Sequence, residues 1–544
     1  MKTSPDHLVG GIPPTRGIPP THVIAAHRLA FGPGVGTESL TDGRLSGWLD
    51  EQLRPDEPVD RDCARRVSEA KLEIKYAAGE EEGQKWPAMH EQRPLSSLDR
   101  PIRDLWHLSD WSKKTNYAER VRPFHEVFVA TWIRAVYSRY PLREVIVDFW
   151  HNHFSVNVEV DVAVQIAMPA YDRDVIRKHC FGNFRQFLEA VATSTAMLRY
   201  LNNGASRASP ANENYARELF ELHTLGQPAY LNHLYNRWRD VPGAVEGKPT
   251  GYIDQDVYEA ARAFTGWTYG SGQYARDGED FPATGEFIFY EPWHDNNQKR
   301  VLGEEFEPNQ PPMADGRHVL DLVARHPATA RHICTKLCKR LVSDNPTDDV
   351  VNAAVATWSD ALDAPDQIAR TIRTIVLSDA FARTWGQKVK RPLEFTAALL
   401  RSSGAEFTPD WNFIWAMGNT NQKLFEWPTP AGHPDDRDYW LSASTMLNRW
   451  TIPLAAIQGW WSSVGTTLLR STPQDRITPR QLTEYWSTRM LGYLPDEPTY
   501  STLVQFTSGE NEPDEPLKGG DRETLSRLTD LVSLIAMTPE FHLR

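Results

Sequence analysis

Apolar residues recur at three- and four-residue intervals along most of this chain from Pro123 onward, a period that restricts the fold to packed amphipathic helices. In one such stretch Leu142, Val145, Ile146, Phe149, Trp150 and His153 share a face, leaving Glu144, Asp148 and Asn152 on the other side. The same spacing predicts helices over Arg185 to Leu201, Asp254 to Trp267, Arg317 to Arg325 and Ala328 to Leu341. It continues over Val350 to Leu362, Gln367 to Ser378, Pro392 to Ser403 and Arg522 to Met537. Strand patterning is confined to Gly285 to Tyr290, inside a Gly-, Pro- and aromatic-rich insertion from Gly270 to Pro312. The expected fold is mainly α: one large multi-helix assembly with long ordered loops and at most a short β-hairpin.

At 544 residues the chain exceeds the usual size of a single core. It is expected to divide into an extended Pro-rich arm over residues 1–20, a helical core over 21–470 and a helical extension over 471–544 packed on that core. Loop insertions near 229–251 and 270–312 interrupt the core, and long ordered loops are often functional. A net charge of -13 argues against nucleic acid and anionic membranes as partners. No apolar run approaches the roughly 20 residues a membrane span requires. Met1 to Gly17 has no apolar signal core, so the expected compartment is the cytoplasm. Cys63, Cys180, Cys334 and Cys338 are few and unpatterned, which fits that compartment.

The segment richest in chemistry runs from Asn212 to Gly226. Ser209 is placed to cap it, Pro210 suits its first turn and Gly226 its end. At roughly 100° per residue, Asn214, Arg217, Glu218 and Glu221 form one polar stripe, with Tyr215, Leu219 and Leu222 alongside. Apolar flanks at Leu198, Tyr200, Leu201, Tyr230, Leu231 and Leu234 predict that the stripe is buried, where charges need partners or a purpose. Two carboxylates one turn apart can bind a divalent metal, share a proton or form an ion-pair network. His223 projects away from them. His153, on the apolar face of its helix, is the candidate third ligand, or else a hydrogen-bonded core histidine.

Three further segments are candidates. Asp254 is placed to cap a helix whose first turn carries Asp256 and Glu259. On the long insertion, His294, Asp295 and Lys299 offer a base, a ligand or an anion clamp. Trp427 to His433 suits either a sugar subsite or aromatic packing. The chain has no phosphate-binding P-loop, zincin motif, nucleophile elbow or paired zinc knuckles.

His27 to Gly32, Phe149 to Phe154, Asn212 to Gly226, Asp256 to Trp267, His294-Asp295 with Lys299, Leu302 and Gly303, and His326 to Arg331 with Lys336-Leu337 together carry a resemblance. Across roughly residues 20 to 470 the chain resembles the bacterial domain-of-unknown-function 1800 family. The resemblance implies a predominantly helical fold and a phosphatase-like or sulfatase-like partner protein. Many members look exported, whereas this sequence shows no signal peptide.

The expected function is that of an enzyme with a buried carboxylate and histidine site. Glu218, Glu221, Arg217, His294, Asp295 and Lys299 are its candidate catalytic residues, and His153, Glu218 and Glu221 its candidate metal ligands. Iron, manganese or zinc would suit such a mixed donor set. Metal-dependent or acid–base hydrolysis of a small-molecule or glycan substrate, carbohydrate or anionic, is the reaction class expected. A non-haem metal oxidase is a lesser alternative, because the Glu-x-x-His spacing of di-iron bundles is absent. The other alternative is a non-catalytic helical binding or assembly protein whose polar stripe fixes helix register.

Overall fold

The computed structural model describes residues 17–81, 84–113, 115–276, 279–465, 467–475, 478–517 and 520–544, so the arm up to residue 16 lies outside the described residues. Helix accounts for 55% of the chain and the fold is mainly α. Its axis is the helix Tyr117–Tyr137, whose first turn is capped by the Asn116 side chain accepting from the Ala118 amide. Phe124, Val127, Phe128, Ile133 and Val136 turn inward, and the helix packs against Val162–Ala170, Pro141–His153 and Pro392–Ser403. These helices belong to one buried apolar cluster that continues through Pro327–Leu341, Gln367–Val376, Pro479–Leu491 and Gly520–Met537.

Strands are limited to two-stranded antiparallel sheets among the described residues. One of them pairs Trp267–Ser271 with Ala283–Phe289, which takes in the expected stretch from Gly285 as far as Phe289. Another, Lys71–Tyr76 against Met89–Pro94, was not expected, although its first strand alternates polar and apolar residues with Leu72 and Ile74 buried; its partner strand carries no such alternation. At the far end of the chain Leu543 bridges to Val389, and the backbones of Lys388 and Lys390 bond to Arg544 and His542.

Two helix expectations change. The stretch Arg185 to Leu201 is broken into Phe184–Ala192 and Thr195–Tyr200, because the Ser194 side chain accepts from the Met197 amide and starts a new helix. The segment Asn212 to Gly226 is shorter and changes pitch. Its α-helix spans only Asn214–Glu218, and the Asn214 amide is satisfied by the Asn212 side chain, not by Ser209. It then widens into a π-helix, Leu219–His223, closed by the Thr224 hydroxyl donating to the Leu219 carbonyl at 2.5 Å. Gly226 ends the segment at φ 85°, and a Cβ there would lie 2.6 Å from His332 Nδ1.

Candidate functional site

A cavity of about 580 Å³ opens where three elements meet, within the usual range for small-molecule sites. The helix Pro141–His153 contributes Phe149, Asn152 and His153, and the helix Pro327–Leu341 contributes Lys336, Lys339 and Arg340. Arg391, the residue before Pro392–Ser403, forms a third side, and the loop Ala431 to Asp438 closes the fourth. Asn152 fixes that loop: its Nδ2 donates to the His433 carbonyl at 2.9 Å while its Oδ1 accepts from the His433 amide at 2.7 Å. The approach is so close that a Cβ on Gly432 would lie 2.1 Å from the Asn152 carbonyl, so only glycine fits.

Most charges at the cavity are matched. Asp148 accepts from Arg340 at 2.9 Å and also from Arg391. Glu394 pairs with Arg340 at 2.6 Å and Arg544 at 3.1 Å, and takes the Arg391 amide at 2.8 Å. Burial works to raise the Glu394 carboxyl, but Arg340, Arg544 and Arg391 overcome it and hold it at about 2. Burial likewise opposes ionisation of Asp435, which Lys388, Arg340 and Arg391 nonetheless keep well below the ordinary carboxylate range.

Lys336 is different. Its ammonium makes no hydrogen bond or ion pair within the described residues, and burial pushes it down to about 8 against the more distant attraction of Asp435. Three histidines cluster beside it. His153 Nε2 donates to the His223 carbonyl at 3.2 Å and His332 Nε2 to the Leu222 carbonyl at 3.1 Å, so the two imidazoles satisfy the open carbonyl end of the π-helix. Burial, reinforced by Lys336, pushes His153 well below its usual value and His332 to about 4. Both ring nitrogens of His223, fully buried between them, lack a hydrogen-bond partner. Burial, then Arg391, brings His433 to about 4, so these rings are neutral at physiological pH.

The residues singled out in the sequence fall into three separate places. His153 lines the cavity, but it meets the carbonyl end of the Asn214–His223 segment and not its carboxylates. Glu218 and Glu221 are half-buried, Asn214 is exposed, and neither glutamate makes a hydrogen bond or ion pair within the described residues. Burial, then the Glu221 carboxylate, pushes Glu218 up to about 7 against the pull of Arg217. Arg217 itself reaches Glu213 at 3.1 Å and Asp254 at 3.6 Å. Asp254 accepts from the Tyr230 hydroxyl at 2.7 Å and does not cap its helix; that role falls to Asp256, which accepts from the Ile253 amide at 2.9 Å.

The third place is the insertion. Asp295 accepts from Arg262 at 2.8 and 3.1 Å, Lys299 donates to Asp315 at 2.6 Å, and His294 Nδ1 reaches the Thr265 carbonyl at 2.8 Å. His294, Asp295 and Lys299 are all buried, and their bonds pin the insertion to the helices Asp254–Ala263 and Ala314–Arg325. No hydrogen bond or ion pair joins them to Glu218 or Glu221 within the described residues. Nor does the structure bring His153, Glu218 and Glu221 into one ligand set. Among the described residues no group of three or more His, Cys, Asp and Glu side chains is disposed to hold a metal ion. The α-helical pitch used to draw the stripe ends at Glu218, where the π turn begins, and the insertion residues are held elsewhere by Arg262 and Asp315.

Lys336, Arg340, Arg391 and Asp435 were not foreseen as site residues. A signal existed for two of them, since Lys336 and Arg340 interrupt the apolar face formed by Ile333, Leu337 and Leu341.

The sequence matches the family described as proteins of unknown function DUF1800, whose model covers residues 24–543. The chain belongs to that family, and the match takes in the C-terminal helices as well as the central ones. No curated protein and no solved structure matches it. No helix of the described residues is long and apolar enough to cross a membrane.

Proposed function

We propose that the protein is an acid–base hydrolase acting on a small anionic substrate held in the cavity between His153, Lys336 and His433. The observation that supports this reading is Lys336 itself, an amine with no counter-ion at ion-pair distance, lining a cavity and brought to about 8. Near neutral pH a fraction of it is uncharged and can take a proton from an attacking water, returning it to the leaving group. Lys339, at the cavity's edge and without an ion pair within the described residues, supplies the charge that draws an anion in, and the neutral His433 and His153 flank the reacting space. In this reading chemistry passes from the Glu218 stripe to Lys336, and His294, Asp295 and Lys299 position the insertion.

The reading is tested with p-nitrophenyl phosphate and p-nitrophenyl sulfate as substrates and inorganic phosphate as a binding ligand. Lys336→Met is expected to lower kcat/KM by about 100-fold or more, the usual scale for a lost general base. Lys336→Arg keeps phosphate binding but loses kcat, since guanidinium does not deprotonate. The wild-type rate rises with pH through about 8. Equal activity in wild type and Lys336→Met would overturn the assignment.

A second reading, a binding role, is favoured by one surface feature. Trp415, Leu447 and Trp450 are 75%, 62% and 47% exposed on two helices, Trp411–Gly418 and Ala443–Ile457, joined by Asn448 Nδ2 donating to the Asn419 carbonyl.

A further inference from the structure

The loop that closes the cavity carries a cation that the chemistry at Lys336 does not use. Arg437 lines the cavity half-buried, and its guanidinium makes no hydrogen bond or ion pair within the described residues. The backbone beneath it is firmly held. Asp344 accepts the Arg437 amide at 3.0 Å and also takes the Lys388 ammonium, while the Asp436 side chain accepts the Asp438 amide at 2.8 Å. The buried Trp440 donates to the Pro434 carbonyl at 2.9 Å. A guanidinium drawn partly out of water calls for an acceptor, and its planar fork suits the paired oxygens of a phosphate or carboxylate. Arg340 and Arg391, on the same cavity, already have such an acceptor in Asp148. Arg437 has none. Asp436 and Asp438, its neighbours in sequence, are exposed to water and do not pair with it within the described residues. On another wall stands Lys336, with Lys339 one turn along the same helix. Unpaired cations thus face the cavity from two walls, and its volume of about 580 Å³ is more than one small anion fills.

We propose that Arg437 is a second anion subsite, so that the substrate carries two anionic groups, one met by Lys336 and the other by Arg437. Arg437 is then a positioning residue: it grips the end of the substrate that is not cleaved and fixes the distance between the two groups. The proposal rests on the hydrolase reading for what happens at Lys336, but as a statement about binding it is tested without turnover.

The test is titration calorimetry of the full-length protein with alkane bisphosphonates of increasing chain length, each compared with the alkylphosphonate of matched length. The bisphosphonate whose span fits should bind the wild type about tenfold or more tighter than its single-headed counterpart. Arg437→Met should erase that gain while leaving inorganic phosphate within about twofold of wild type. Arg437→Lys, which keeps the charge without the fork, should retain part of the gain. The guanidinium holds no other group in place, so both variants should melt with the wild type. Lys336→Met gives a different pattern, weakening inorganic phosphate and bisphosphonate alike. If wild type and Lys336→Met hydrolyse the p-nitrophenyl esters equally while the gain at Arg437 is present, the hydrolase reading falls and the second subsite stands. No gain for any bisphosphonate in the wild type, or a gain undiminished in Arg437→Met, overturns the proposal.

Discussion

Glu218 and Glu394 are both glutamates inside the fold, and their surroundings drive them in opposite directions. Glu218 is raised to about 7, so the folded chain holds a proton there that the unfolded chain gives up nearer 4.5. Stability therefore falls as pH rises between those values, and Glu218→Gln should gain about 1–2 kcal/mol at pH 8 after discounting for solvent screening, with little change at pH 4. Calorimetric melting of both proteins at the two pH values measures it. Glu394 is held at about 2 by three arginines, so its contribution is present above its ordinary range and is lost as pH falls toward 2. Glu394→Gln leaves Arg340, Arg391 and Arg544 short of a counter-charge and should cost about 3–5 kcal/mol, read from urea unfolding at pH 7. At this scale the sequence revealed which residues carry charge on apolar faces. It did not reveal partners: nothing local shows that Asp295 meets Arg262, or that Lys336 meets no carboxylate.

Helix periodicity located most elements to within a few residues, as Pro392–Ser403 and Pro327–Leu341 illustrate. It failed where the pitch itself changes. The π-helix Leu219–His223 has no signature in its residue types, and the histidines that satisfy its carbonyl end, His153 and His332, come from two other helices distant in sequence. The cavity was equally out of reach, since its fourth wall depends on Gly432 meeting Asn152 across the fold. Gly432→Ala should displace the loop Ala431 to Asp438 and weaken phosphate binding by about tenfold while lowering stability by only about 1–2 kcal/mol, because the loop's outer residues Ala431, Asp436 and Asp438 are exposed and can give way. Titration calorimetry with phosphate, alongside melting, distinguishes the two effects. Gly226→Ala meets His332 at the other end of the same network and should lose stability first.

Across the whole molecule, one apolar cluster reaches from Ile24 to Phe541, and the last residues are part of it. Phe541 is fully buried, Leu543 bridges to Val389, and Arg544 joins the ion network behind the cavity. Removing residues 541–544 should therefore lower the melting temperature of the entire protein in one transition, not merely fray its end. Through that network the tail also supports the cavity wall, so phosphate binding should weaken with it. The mainly helical class was legible because it rests on many repeated local signals, whereas the site rests on a few contacts between distant segments. Lys336 stands at the centre of those contacts. Its titration is best measured directly, by the pH dependence of acetylation at that amine, quantified by mass spectrometry with and without phosphate. A midpoint near 8 with protection by phosphate is the result expected; a midpoint in the ordinary lysine range, with no protection, would contradict it.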